Sequence, residues 1–66
     1  MEIRVNGEIR ALTQGSTLGA LLSILEVSTE GVAIAVNRVV IARGQIEDRI
    51  LKAGDVVEVV RAVGGG

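Results

Sequence analysis

The groups in this chain best suited to chemistry stand at its end, in the run Val63-Gly64-Gly65-Gly66. A carboxyl borne by Gly66 has no side chain beside it, and Gly65 and Gly64 extend that bare stretch. A Cβ near a reacting carbonyl adds bulk and narrows φ/ψ, so a tail that must enter a confined site favours glycine there. A glycine run is also a flexible tether, able to reach more than one site. Ordering it costs about 1–2 kcal/mol per residue fixed, and contacts made by the folded body must offset that loss. Frayed termini share this composition, so the tail taken alone leaves an inert reading open.

The remainder of the chain offers little that reacts. It has no histidine, the commonest general base and metal ligand, and no cysteine for a disulfide or a thiolate site. Glu47 and Asp48 are adjacent in sequence and would point in different directions on a helical turn, with no base or ligand beside them. No phosphate-binding glycine loop opens a helix, so the chain is not expected to bind ATP or any other cofactor, or a metal, by itself. The net charge is −1 and no basic cluster is present, which argues against a nucleic-acid partner. Apolar stretches fall well short of the ~20 residues of a membrane helix. Met1-Glu2-Ile3-Arg4 alternates polar and apolar residues, unlike a signal peptide. A cytoplasmic protein that is not itself an enzyme is the expectation.

The elements that must position the tail can be read along the 66 residues, which are enough for one domain. A domain of this size buries only about 60% of its unfolded surface. The apolar share is 48% and contains no aromatic residue, so the core must be aliphatic, a choice that favours strands. Residues 2–6 alternate around Ile3 and Val5, Asn6-Gly7 signals a hairpin, and 8–12 returns. Ser16 or Thr17 can cap a helix whose apolar stripe is Leu18, Leu21, Leu22 and Leu25, ending near Glu26. Gly19 inside it costs about 1 kcal/mol relative to alanine, so this helix must rely on tertiary packing. Val32 to Val36 and Val39 to Ile41 read as strands around an Asn37-Arg38 turn. Residues 45–51 fit a short helical turn with Ile46 and Ile50 inward, Ala53-Gly54-Asp55 a turn, and Val56 to Val63 the last strand.

One helix cannot cover both faces of such a sheet, so the fold class is α+β with one face left open. The final strand is apolar on both sides, which suits a central place parallel to the first strand. A helix between a hairpin and the remaining strands, with first and last strands adjacent, is the β-grasp (ubiquitin-like) topology. It would be a mixed sheet of four to five strands with one main helix on one face. Residues 1–63 form that domain and 64–66 a flexible tail.

Alternation also suggests a docking face. If Ile34 and Val36 face the core, Ala33 and Ala35 face the open side; if Val57 and Val59 face in, then Val56, Glu58, Val60 and Ala62 face out. Small alanines beside Val60 make a flat, partly apolar surface next to the tail, which fits a protein contact centred on Val60 and Ala62. Arg61 and Gly64 lie at its edge, and Arg61 suits an acidic partner residue. Scattered valines on a strand, and a solvated arginine, would look the same.

The stretches Ala35-Val36-Asn37, Ala42-Arg43, Gly54-Asp55-Val56-Val57-Glu58-Val59-Val60 and Val63-Gly64-Gly65-Gly66, with the opening Val5-Asn6-Gly7-Glu8 and the Thr17-Leu18 helix start, resemble the thiamine-biosynthesis sulfur carriers of the ThiS family. Family members often have proline before the arginine matching Arg43 and an aromatic near Ile46. This chain has Ala42 and no aromatic, a departure that bears on packing. The resemblance implies a carrier whose Gly66 carboxylate is adenylated by an E1-like, ThiF-type adenylyltransferase using ATP. Adenylation turns a poor leaving group into AMP, and a sulfur nucleophile then leaves a terminal thiocarboxylate. A ThiG-type thiazole synthase would take up that sulfur. A small subunit of molybdopterin synthase (MoaD type), which uses the same terminal chemistry, and a ubiquitin-like modifier of lysines are the alternatives.

Overall fold

The structure, a computed structural model, describes residues 1–61. The elements follow in the order β1 (Glu2–Val5), β2 (Glu8–Ala11), α1 (Leu18–Ile24), β3 (Val32–Val36), β4 (Val39–Val40) and β5 (Val56–Arg61). They form one five-stranded sheet in the order β2-β1-β5-β3-β4. β5 lies in the middle, parallel to β1 and antiparallel to β3. This is the mixed β-grasp arrangement expected from the pattern of elements.

Both hairpins turn on residues in the left-handed region. Asn6 and Gly7 have φ of 48° and 86°, and Asn37 and Arg38 have 52° and 69°. Positive φ at both central residues is the geometry whose twist matches that of two antiparallel strands. Asparagine tolerates it because its short side chain finds local partners.

The helix begins after Thr17 and closes at Leu25, close to where its apolar stripe placed it, and its caps give the reason. At the start, Thr17 Oγ1 accepts the N–H of Ala20 at 3.1 Å. The N–H groups of Leu18 and Gly19 donate to the carbonyls of Arg49 and Glu47, at 2.7 and 3.3 Å. Donors that a helix leaves orphaned in its first turn are thus met partly by the chain segment packed across it. At the other end Glu26 has φ 57°, its N–H donates to Ser23 O at 3.1 Å, and Val27 N–H donates to Leu22 O at 3.0 Å. That pair of bonds is a Schellman motif, which closes the last turn at Leu25.

Leu18, Leu21 and Leu22 meet Ile3, Val5, Ile34, Val36 and Val57 in one aliphatic core, completed by Ile41, Ile46 and Leu51. Full burial of such a side chain stabilises by about 1.5–3 kcal/mol relative to exposure. Residues 45–51 meet the expectation in part: a helical turn is present, with the Arg49 N–H donating to Gln45 O at 3.0 Å, but Ile50 does not face inward. A single 3-10 turn spans Arg43–Gln45, Ile46 is buried, and Ile50 is 58% exposed instead of facing inward. Thr17 and Ile50 form an isolated antiparallel bridge, so the backbone there is extended. Extended residues alternate sides, and Leu51, 2% exposed, takes the inward position instead.

Candidate functional site: the central strand and the open sheet face

β5 is the element that carries the chain toward its last residues, and it is fastened at its start and again at Val59 by side chains from hairpin turns. At its start, Asn37 Oδ1 accepts the Val56 N–H at 3.0 Å and Asn37 N–H donates to Val56 O at 2.8 Å. Asn37 Nδ2 donates to Asp55 Oδ1 at 3.0 Å, while Asp55 Oδ2 accepts the Lys52 N–H at 2.8 Å. Asp55, with only 9% of its surface exposed, is therefore a structural acceptor inside the turn that launches β5. Further along, β1 has already turned away, and Asn6 takes its place: Oδ1 accepts the Val59 N–H at 2.9 Å and Nδ2 donates to Val59 O at 3.3 Å. Reading the sequence as turn chemistry located Asn6, Asn37 and Asp55. That they latch the same strand was not visible, because the link spans 53 residues for Asn6 and Val59.

Alternation along β5 puts Val57 in the core and Val59 half-buried on the helix side, with Val56 and Val60 on the other. Register then assembles the open face. Ala33 lies opposite Val60, and Ala35 lies opposite both Glu58 and Val40. On the other flank Arg4 lies between Val56 and Ile9. Val60 is 60% exposed, Ile9 58% and Val40 71%, Ala33 is exposed and Ala35 half-buried. The structure thus brings Val56, Glu58, Val60, Ala33 and Ala35 together, and adds Ile9 and Val40 to the same surface. Ile9 and Val40 escaped the sequence reading because their side depends on pairing register, which no single strand reveals.

Arg61 does not belong to that face. It follows Val60 and points to the helix side, where it borders a groove of about 450 Å³ lined by Val5, Asn6, Leu25, Val27 and Val59. Its register partner is Val32. Ala62, Val63, Gly64, Gly65 and Gly66 lie outside the described residues, and so does the end of the expected last strand and the boundary placed after residue 63.

Among the described residues no group of three or more histidine, cysteine, aspartate or glutamate side chains could hold a metal ion. Every buried side-chain nitrogen and oxygen among them has a hydrogen-bond partner. What the described residues present is a platform: a partly apolar sheet face, with Arg4 and Glu58 among its valines and alanines, and a fastened strand running through it.

The sequence model of the ThiS family matches residues 3–66. This chain belongs to the ThiS family. It is similar to a sulfur carrier protein ThiS from Thermus thermophilus, at 42% identity over 62 residues, covering 94% of this chain and 95% of that protein. It is also similar to a thiazole synthase from Magnetococcus marinus, at 39% identity over all 66 of its residues. There this ThiS-family chain spans only 20% of the relative's length. Among solved structures, the crystal structure of the ThiS protein from Geobacter metallireducens superposes with a TM-score of 0.85 at 32% identity, covering all of both chains. The solution structure of a thiamine biosynthesis protein from the same organism gives 0.78 at 32% identity, covering all of this chain and 88% of that one. The departures at Ala42 and at the absent aromatic leave this ThiS-family fold intact. Ala42 forms the extended entry to the 3-10 turn, at φ −60° and ψ 141°. Proline holds φ near −65°, so the backbone that proline would fix is adopted without it. Ile46, 3% exposed, fills the core near where an aromatic was expected.

Proposed function

We propose that this chain is a sulfur carrier for thiazole formation in thiamine biosynthesis, acted on by partner enzymes and not itself catalytic. The observation that carries this reading is the ThiS match running through residue 66, which takes in the terminal glycines. The Gly66 carboxylate attacks the α-phosphate of ATP held by a ThiF-type adenylyltransferase, releasing pyrophosphate and forming an acyl-adenylate. A sulfur nucleophile at the sulfide level then attacks the acyl carbon and displaces AMP, leaving a thiocarboxylate on Gly66. A ThiG-type thiazole synthase accepts that sulfur, and an oxygen atom from water or from the acceptor's carbonyl takes its place and restores the carboxylate. The similarity to a polypeptide named thiazole synthase supports that pairing, since the two sequences share the full length of this chain.

The body acts as a handle in this scheme. Val60, Ala33 and Ala35 on the open face, with Ile9 and Val40 beside them, supply the apolar contact that offsets the ordering of Gly64, Gly65 and Gly66. Ala62 and Arg61 lie next along the chain, and Arg61 approaches a partner from the helix side. No helix among the described residues is long and apolar enough to cross a membrane, and the reading places the carrier in the cytoplasm with its partner enzymes.

The test is intact-mass measurement after incubation with ATP, a ThiF-type adenylyltransferase and a sulfur donor. Replacing the terminal OH by SH adds about 16 Da, and a chain lacking Gly66 is expected to show no such gain. An unmodified full-length chain, under conditions where the Thermus thermophilus carrier reacts, would sink the reading.

A further inference from the structure

Asn6 has a chemical property that its place in the hairpin does not use. The next residue is Gly7, which has no Cβ to keep its backbone nitrogen from the Asn6 side chain. We propose that Asn6 is a deamidation site, and that its conversion releases the β1-side latch on β5 at Val59. In the reaction the Gly7 amide nitrogen loses its proton to hydroxide and bonds to Asn6 Cγ. The Cγ–Nδ2 bond breaks and ammonia departs, leaving a five-membered succinimide. Water then opens either ring C–N bond, giving aspartate or isoaspartate at position 6. No electrons change hands, and water is the only co-reactant.

The consequence follows from what Asn6 holds. On the β1 side of β5, the backbone bonds Arg4 N–H to Asp55 O and Asn6 N–H to Val57 O are both 2.9 Å. One step on, the partner of Val59 is the Asn6 side chain, at 2.9 Å for Oδ1 and 3.3 Å for Nδ2. Aspartate replaces the Nδ2 donor with an acceptor that faces the Val59 carbonyl, so one bond becomes a repulsion. Isoaspartate adds a methylene to the backbone of a turn that needs φ of 48° and 86° at Asn6 and Gly7. Either product removes the latch on the β1 side of β5 at Val59, two residues before Arg61, and leaves that stretch held by its pairing with β3 alone.

Asn37 is an internal control. It has φ 52°, sits in the other hairpin turn and bonds to β5 with the same amide, yet Arg38 follows it. Because both Asn6 hydrogen bonds oppose the attack, deamidation proceeds from conformations in which they are open, and unfolding accelerates it.

Full-length chain is incubated at mildly alkaline pH with and without urea, digested and mapped by mass. Aspartate and isoaspartate, each about 1 Da heavier than asparagine, are expected at position 6. They should form at least about tenfold faster than at Asn37, and faster in urea. In urea, where no turn has to form, Gly7→Ala should slow the reaction about tenfold. The deamidated fraction, separated by its added charge, is then compared with unmodified chain by amide exchange. Val59 should lose protection about tenfold or more, while Ile41, whose N–H donates to Ile34 O at 2.8 Å, keeps it. Equal rates at Asn6 and Asn37, no effect of Gly7→Ala in urea, or unchanged protection at Val59 would each overturn the proposal.

Discussion

Gly19 and Glu47 approach so closely that a Cβ on Gly19 would sit 2.8 Å from the Glu47 carbonyl oxygen and 3.0 Å from its Cα. Both atoms are backbone, so nothing flexible can yield. The contact fastens the segment around Ile46 across the start of α1, where Glu47 O and Arg49 O receive the Gly19 and Leu18 N–H groups.

Gly19→Ala therefore separates two effects of opposite sign. Helix propensity alone favours alanine by about 1 kcal/mol. The clash with Glu47 is expected to dominate, lowering stability by about 1–3 kcal/mol as overpacking typically does. Urea unfolding followed by far-UV circular dichroism decides it; a midpoint above that of the parent would show that the segment moves aside freely.

Glu26 occupies the left-handed position of the helix C-terminus, which glycine fills without a Cβ penalty. Glu26→Gly should raise stability by about 1 kcal/mol, since the relief of the left-handed conformation exceeds the added freedom of the unfolded chain. The same urea titration measures it, with an unchanged or lower midpoint counting against the account.

Asp55 accepts from both Lys52 N–H and Asn37 Nδ2 while nearly buried. Asp55→Ala leaves those donors without partners and should destabilise by about 2–3 kcal/mol. Asn37→Ala removes the Val56 contact as well, and the double variant should fall short of the sum of the two. Additive losses would mean the two residues act separately.

On the open face, Val60→Asp should leave the circular dichroism spectrum unchanged, because Val60 is exposed. It should weaken capture of a ThiG-type thiazole synthase by at least about tenfold, the size of a hot-spot loss. Arg61→Ala, on the other side of the strand, should change the same capture by less than about threefold. Wild-type affinity in Val60→Asp, measured by calorimetry, would remove the open face from the docking account.

Sequence pattern revealed every strand, the helix and the parallel placement of β5 beside β1, because alternation and turn chemistry are local and strong here. Asn6-Gly7 announces its hairpin unaided, and Leu18, Leu21 and Leu22 announce their stripe. Ile50 misled because it stands four residues after Ile46, a helical spacing. The turn closed by the Arg49 N–H to Gln45 O bond ends before it, and the backbone at Ile50 is extended to meet Thr17. Tertiary pairing overrode local period. Gly19 looked like a weakness of the helix and proves to be a point of contact, which only the turn around Glu47 packed against it could disclose. The open face was half legible: β3 and β5 declare their outward residues by alternation, whereas Ile9 and Val40 join only through register. The tail was legible as composition alone.

The wholly aliphatic core has an optical corollary. A chain without tryptophan, tyrosine or phenylalanine neither absorbs usefully near 280 nm nor fluoresces, so concentration must be fixed by peptide-bond absorbance or refractive index. The same darkness is an advantage in mixtures. In any binary complex with an enzyme, every aromatic signal belongs to that enzyme, and its indole emission reports the docking event against an empty background.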